Sequence, residues 1–427
     1  MIYEVKKCFH AVGNGTLFTG KINNLIEDGA SFNWIYDCGS TSKKTVLKTV
    51  SNLPSWFGPA NQLDMLVLSH FDDDHINGLE VLLKNYYVKR LVLPFTEWPQ
   101  KIREISVMGQ RGITPSSALF QINPARWLEV HDFINQVGEI ILVQGQNGES
   151  ESGRPSSGPD YDRPRRPDRN FTSEVQPENE WGFPIDEATA ASVFLDFGSS
   201  KKRKVINIKE IHHGQHIHAY NNSFEFIFYN AEKDFSALGL IYESSGRRFS
   251  KKSMMPIQNV KADIEKTIIS LGLHQGVGGL PVGWRQTLKN CYEKHFGRTG
   301  EAKNNISLCM YAAPLDKHFI FTDHPATLLT GDINLTHDVI DDMQIHFGNH
   351  RWRLLGRVQV PHHGSQHYWA VGNATRFENA QFVQCATPTK HHPHRAVTAD
   401  LNFAGSIVHH ANRTTAISSG YFYYQFC

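Results

Sequence analysis

The chain has 427 residues, 43 basic and 42 acidic side chains and a formal net charge of +1, so no global field marks it for a polyanion or an anionic membrane. No window approaches the roughly 18 to 20 continuous apolar residues of a membrane span, and the start MIYEVKKCFHAVGNG lacks a signal-peptide apolar region. The expectation is therefore a soluble, cytoplasmic protein without a membrane partner, large enough for one α/β domain with insertions or for two smaller domains.

The six cysteines, Cys8, Cys38, Cys291, Cys309, Cys385 and Cys427, show no C-x-x-C pairing, which argues against a thiolate zinc site and for reduced packing residues. Histidines number 23, of which a few suffice as ligands.

Tyr3 to Val12 reads as extended, with a turn at Gly13-Asn14-Gly15 and a second strand from Thr16. Phe32 to Tyr36 makes another strand, closed by Asp37-Cys38-Gly39. Next comes Asp64 to Leu79, DMLVLSHFDDDHINGL. Met65 to Leu68 is an unbroken apolar run that fits a strand buried on both faces. Gly78, Leu79, Leu82, Leu83 and Tyr86 recur at helical spacing. Between them His70, Asp72, Asp73, Asp74 and His75 crowd a single loop. A bare loop would suffer their mutual repulsion, whereas a divalent cation makes each a donor.

Leu91 to Leu93 and Ile140 to Val143 resume as strands, and then composition changes. From Gly145 to Asn170 there is no Val, Ile, Leu, Met or Phe, so a flexible insert is expected over 145–190. RPRRPDR within it is read as solvated linker, because acidic neighbours nearly cancel its charge. VFLDF near 193–197 is strand-like, and strands over 205–211 and 224–229 flank His212, His213, His216 and His218, read as surface or partly buried histidines. Lys201, Lys202, Arg203 and Lys204, with the second basic run from Arg247 and Arg248, are the best candidates for nucleic-acid backbone contacts. Ile257, Val260, Ile264, Ile268 and Leu271 form an amphipathic helix that Gly272 can end, and Trp284, Leu288 and Tyr292 a second. Residues 232–303 thus form a helical insertion expected to cover or shape a site.

Asn304 to Tyr311 is a strand preceded by two amides, Thr327 to Asp332 (TLLTGD) a strand ending at a carboxylate, and Gln359 to Ser365 (QVPHHGS) a strand ending at paired imidazoles. ATPTKHHPHRAV follows at 386–397.

SHFDDDHINGL resembles the H-x-D-x-D-H metal motif of metallo-β-lactamase-fold hydrolases, in the variant with Asp at the second position that is typical of the soluble nuclease domain of ComEC-type competence proteins. VGNGT, DCG, NNISL, LLTGD, HHGS and HPH resemble that family's further motifs in the same order, with low similarity between them. The resemblance implies an α/β fold, an αββα sandwich, with 1–144 as one half, strands in 191–231, and 304–427 as the other half. It also implies two divalent ions: His70 and Asp72 on one, Asp74, His75 and His362 on the other, and Asp332 between them. His363 or His394 is the alternative to His362. Asp37 either stands beside the metals or ends its strand as an Asx turn. Asn304 and Asn305 stand where other branches place a metal-binding His, or form a turn.

Asp72 in place of an imidazole hardens the site, favouring Mn²⁺ over Zn²⁺, with Mg²⁺ admissible. The reaction implied is phosphodiester hydrolysis by water activated between the ions, with Asp73, His363 or His394 protonating the leaving oxygen and Asp74 counted among the catalytic groups. A nuclease is the leading expectation. The alternatives are a phosphodiesterase on small or cyclic nucleotides, and a non-catalytic metal-stabilised module binding a protein partner through 145–170 or the helical insertion.

Overall fold

The computed structural model describes residues 2–26, 31–58, 61–108, 113–145, 181–197, 206–219, 223–231, 240–242, 247–276, 279–298, 307–315, 324–389 and 392–424. Two large sheets dominate. The first runs, edge to edge, Ile417–Tyr424, Ile2–Phe9, Leu17–Asn24, Ser31–Cys38, Met65–Val67, Tyr87–Pro94, Val137–Gln144, Asn207–His212 and Phe183–Pro184. The second runs His216–Ala219, Phe224–Asn230, Leu308–Pro314, Ala326–Leu329, Leu355–Gln359, Gln381–Cys385 and Val408–Ala411.

Side-chain alternation along these strands builds three stacked cores. Tyr3, Val5 and Phe9 recur at period two and face Phe226, Met310 and Leu329 of the opposite sheet, forming the layer between the sheets. The opposite face of the first sheet packs on helices Lys43–Ser51, Leu79–Asn85, Pro115–Ile122 and Pro124–Val130 through Val46, Leu82, Phe120 and Trp127. The opposite face of the second packs on His337–Phe347 and Arg395–Phe403 through Ile340, Met343 and Leu401. The result is the α/β fold expected, a four-layer αββα sandwich. Strand Met65–Val67 sits inside the first sheet, parallel to Ser31–Cys38 and Tyr87–Pro94. All three of its residues are buried, which is why it reads as a continuous apolar run.

The helical insertion has its own core. Val260, Ile264 and Ile268 of helix Ile257–Leu271 meet Leu288, Tyr292 and Phe296 of Trp284–Phe296 over Trp98, Ile102 and Ile122. Gly272 ends the first helix in the left-handed conformation, φ 75°, as its sequence position predicts.

Several elements differ from expectation. The strand-like VFLDF is the end of helix Glu187–Val193 followed by irregular chain, because Asp186 caps that helix by accepting from Thr189 N. Of the expected flexible insert, 146–180 lies outside the described residues. Trp181 is buried with Arg90 stacked on its ring at 4.0 Å, and Phe183–Pro184 pairs with Asn207–His212, so folded structure resumes before 190. Helices Pro115–Ile122 and Pro124–Val130 had a signal that the apolar periodicity did not carry. Thr114 and Asn123 each cap with the side chain, and each is followed by Pro at the first helical position. No helix among the described residues is long and apolar enough to cross a membrane. Cys8, Cys38, Cys291, Cys309 and Cys385 are all free thiols.

Candidate metal centre

Three loops converge at one edge of the sandwich, each leaving the C-terminal end of a strand: Ser69 to His75 after Met65–Val67, Thr330 to Asp332 after Ala326–Leu329, and His362 to Gly364 after Leu355–Gln359. Backbone bonds lock them across the two sheets. Leu308 N donates to Ser69 O at 2.8 Å, and His362 N to Gly331 O at 3.1 Å. The approach demands glycine at 331, where φ is +54° and a Cβ would stand 2.7 Å from Ser69 Cβ.

The cluster these loops build is close-set. His70 Nε2 lies 3.6 Å from Asp332 Oδ2 and 3.8 Å from Asp72 Oδ2, and His75 Nε2 lies 3.2 Å from Asp332 Oδ1. His362 Nδ1 is 3.6 Å from Asp332 Oδ2, and His363 Nε2 is 3.3 Å from Asp74 Oδ2. Every residue assigned from sequence as a metal ligand is therefore brought to this one place. The donor atoms of His70, His75 and Asp332 fall within 4.8 Å of one another, as do those of Asp74, His75 and His363.

A buried network behind the cluster aims the imidazoles. Asp37 is fully buried and accepts from Ser69 N (2.7 Å), Ser69 Oγ (2.7 Å) and His75 Nδ1 (2.8 Å). Ser69 Oγ, having given its proton to Asp37, accepts from His70 Nδ1 at 2.9 Å. Both histidines thus carry Nδ1–H and turn Nε2 toward Asp332, the arrangement by which a carboxylate fixes a metal-binding imidazole. Asp37 itself sits at φ 55°, a conformation Asp tolerates better than most residues. On the far side Asp332 N donates to Ser307 Oγ at 2.9 Å, and Gln359 Oε1 accepts from Thr330 N at 3.1 Å. Ser69, Ser307 and Gln359 escaped sequence reasoning; Ser307 lies within NNISL, the one signal that pointed near it.

The loop bearing the paired histidines explains why both reach the cluster. His362 and His363 have φ of 46° and 56°, followed by Gly364 at 80°, so they are not strand residues and their rings do not alternate between faces. His363 Nδ1 donates to Cys385 O at 3.0 Å, which leaves Nε2 to face Asp74. The His392 ring lies parallel to that of His362 with centroids 6.0 Å apart.

The other expected site residues are engaged in other contacts or lie away from the cluster. Asp73, expected to deliver a proton, has its Oδ1 taken by Thr114 N, Thr114 Oγ1 and Ser117 Oγ. His394 uses its imidazole to cap helix Arg395–Phe403, Nδ1 accepting from Ala396 N at 3.2 Å, while its own N donates to Gly364 O at 2.8 Å. It positions the His362 to Gly364 loop through the backbone. Arg248 is bonded to Glu97 Oε2 at 2.8 Å and Arg247 is exposed beside it. Lys201, Lys202, Arg203 and Lys204 lie outside the described residues, as do Asn304 and Asn305.

Electrostatics test whether a cation fits. Burial and the neighbouring His75 push His70 down to about 3, leaving Nε2 a free lone pair. Burial opposes charge on His75, but Asp332 and Asp37 outweigh it and hold His75 well above the ordinary range. Burial likewise opposes charge on Asp332, yet His362, His75 and His70 keep its carboxyl well below the usual range. Four atoms here are buried without a well-aligned hydrogen bond: His70 Nε2, His362 Nδ1, and His75 Nε2 and Asp332 Oδ1, which stand 3.2 Å apart as an ion pair. Orphaned polar atoms of this kind cost about 1–3 kcal/mol each. Donor atoms of three of these residues, His70, His75 and Asp332, lie within 4.8 Å of one another and are of metal-ligating type, which fits a divalent cation.

No protein-family model matches the chain. Over 54 residues, 12% of this chain and 7% of the other's length, it is 43% identical to ComE operon protein 3 of Bacillus subtilis (strain 168). Among solved structures it aligns with the metallo-beta-lactamase fold protein YhfI from Bacillus subtilis at a TM-score of 0.34 and 10% identity, over 97% of this chain and 100% of that one.

Proposed function

We propose that the chain is a metal-dependent phosphodiesterase acting on nucleic acid, with His70, Asp72, Asp74, His75, Asp332 and the His362/His363 pair holding divalent ions. The observation that carries this reading is the convergence of three strand-end loops that brings the buried donor atoms of His70, His75 and Asp332 within 4.8 Å of one another. When bound, divalent ions supply Lewis acidity toward a phosphoryl oxygen and lower the pKa of a water. The chain's own contribution is orientation. Asp37 and Ser69 hold His70 and His75 by their Nδ1 atoms, and the Cys385 carbonyl holds His363.

Three carboxylates, Asp72, Asp74 and Asp332, stand among four imidazoles, and the Asp at 72 shifts preference toward Mn²⁺ or Mg²⁺ relative to a set with His there. The SHFDDDHINGL resemblance favours a nucleic-acid substrate. A cavity of about 490 Å³ beside Asp74 favours a second reading, turnover of a small or cyclic nucleotide. Release of nucleotides from single- and double-stranded DNA with Mn²⁺, beside hydrolysis of bis(p-nitrophenyl) phosphate, separates the two. Activity on the small ester and cyclic nucleotides alone selects the second. Wild type and Asp332→Ala at one common background on all substrates contradicts both.

A further inference from the structure

The cavity beside the cluster carries an ammonium that forms no ion pair among the described residues. Its volume of about 490 Å³ suits a nucleotide-sized group, and Asp74 forms part of its wall. Three other charged side chains line it: Asp73, Glu80 and Lys43. Asp73 is engaged by Thr114 and by Ser117 at the start of helix Pro115–Ile122. Glu80 Oε1 lies 4.0 Å from His131 Nδ1. Lys43 is exposed at the start of helix Lys43–Ser51, whose first turn carries no acidic residue, and among the described residues its ammonium has no ion pair or hydrogen bond.

An ammonium with no ion pair among the described residues, in the cavity that Asp74 also lines, is placed to meet an anion next to the reacting one once bound cations offset the carboxylates there. A polynucleotide offers that anion at every residue, and a small diester does not. We infer that Lys43 holds a backbone phosphate adjoining the scissile one, so that the cavity is the subsite for the neighbouring nucleotide. This deepens the phosphodiesterase reading and rests on it. Lysine suits the task because it acts as a point charge without demanding a fixed fork, and phosphate contacts of this kind set register rather than read sequence. Thr41 and Ser116, also on the wall, add hydroxyls without adding charge.

The test measures binding apart from turnover. Fluorescence anisotropy of a labelled single-stranded oligonucleotide, with Ca²⁺ replacing Mn²⁺ to keep the strand uncleaved, is followed against salt for wild type, Lys43→Ala and Lys43→Arg. Loss of one phosphate contact lowers the slope of log K against log salt by about 0.7 for a single strand. The expected result is a slope reduced by that amount in Lys43→Ala, affinity about fivefold lower, and both kept by Lys43→Arg. Equal slopes in wild type and Lys43→Ala, or no binding by wild type, overturn the inference. Hydrolysis of bis(p-nitrophenyl) phosphate by wild type, assayed in parallel, separates the two ideas. Hydrolysis with an unchanged slope removes the subsite alone. A Lys43-dependent slope without hydrolysis of any diester removes the phosphodiesterase reading and leaves an anion subsite.

Discussion

Among the described residues, ligating side chains bring donor atoms within 4.8 Å of one another at two places, the strand ends and the helical insertion, and the two places differ in what remains unsatisfied. At the strand ends, His70, His75 and Asp332 face one another with Nε2 and Oδ1 atoms that make no well-aligned hydrogen bond, the His75–Asp332 ion pair at 3.2 Å included. In the helical insertion, Asp263, Cys291 and His295 are equally close. There, however, Asp263 Oδ2 accepts from Lys294 Nζ at 2.7 Å and from His295 Nε2 at 2.8 Å, while His295 Nδ1 reaches Ser253 Oγ at 3.1 Å. A lysine already supplies the positive charge, and both imidazole nitrogens are used. Proximity of ligating residue types therefore does not distinguish a metal site from a structural tie; the unsatisfied valence does.

The comparison can be broken most severely by removing a central member of the strand-end cluster. Asp332→Ala or His70→Ala should reduce Mn²⁺-dependent phosphodiester hydrolysis by about a thousandfold or more and lower bound metal per chain, measured by initial rates and elemental analysis. Next in size is the network that aims the ligands. Asp37→Ala leaves every ligand in place but frees the His75 ring, and a 10–100-fold loss of metal affinity is expected in a competition titration with a chelating dye. Unchanged affinity would show that packing alone orients the imidazoles.

The insertion supplies the contrasting case. Asp263→Ala should cost about 1–3 kcal/mol of stability in urea unfolding by stranding the buried His295, with metal uptake equal to wild type. Metal loss in that variant would erase the distinction drawn above.

The smallest effect concerns a buried cation away from both groups. Lys7, between the sheets, donates to Pro325 O at 2.9 Å and Thr327 Oγ1 at 3.1 Å, and burial together with Arg357 pushes it from 10.5 down to about 7. The unfolded chain then binds the extra proton between those values, so stability should rise as pH increases from about 7 to about 10.5. Lys7→Met should flatten that rise in urea midpoints measured across the same range.

What could be read without coordinates followed from local chemistry. Met65 to Leu68 announced a buried strand, Gly272 a helix end, and the spacing His70, Asp72, Asp74, His75 a loop whose imidazoles and carboxylates gather in one cluster. What could not be read depended on long-range partners. Asp37 and His75 are 38 residues apart, and only folding shows that they share a hydrogen bond. His362 and His363 looked mutually exclusive under strand alternation, but three successive positive φ values bring both rings inward. Asp73 and His394 looked like free proton carriers within a charged motif, whereas folding enlists the first at the start of helix Pro115–Ile122 and the second as the cap of Arg395–Phe403. Phe194 to Phe197 carried strand propensity that the Asp186 cap and the helix before it overrode.

The central claim, that unsatisfied donors at the strand ends mark a cation site, is tested most directly by metal content. Purified wild-type protein and Asp332→Ala, equilibrated with Mn²⁺ and freed of excess, would be compared by elemental analysis, with circular dichroism confirming that the fold is kept. The account predicts one or two ions per wild-type chain and a clear loss in the folded variant. Equal metal content in the two proteins, or none in wild type, would contradict it.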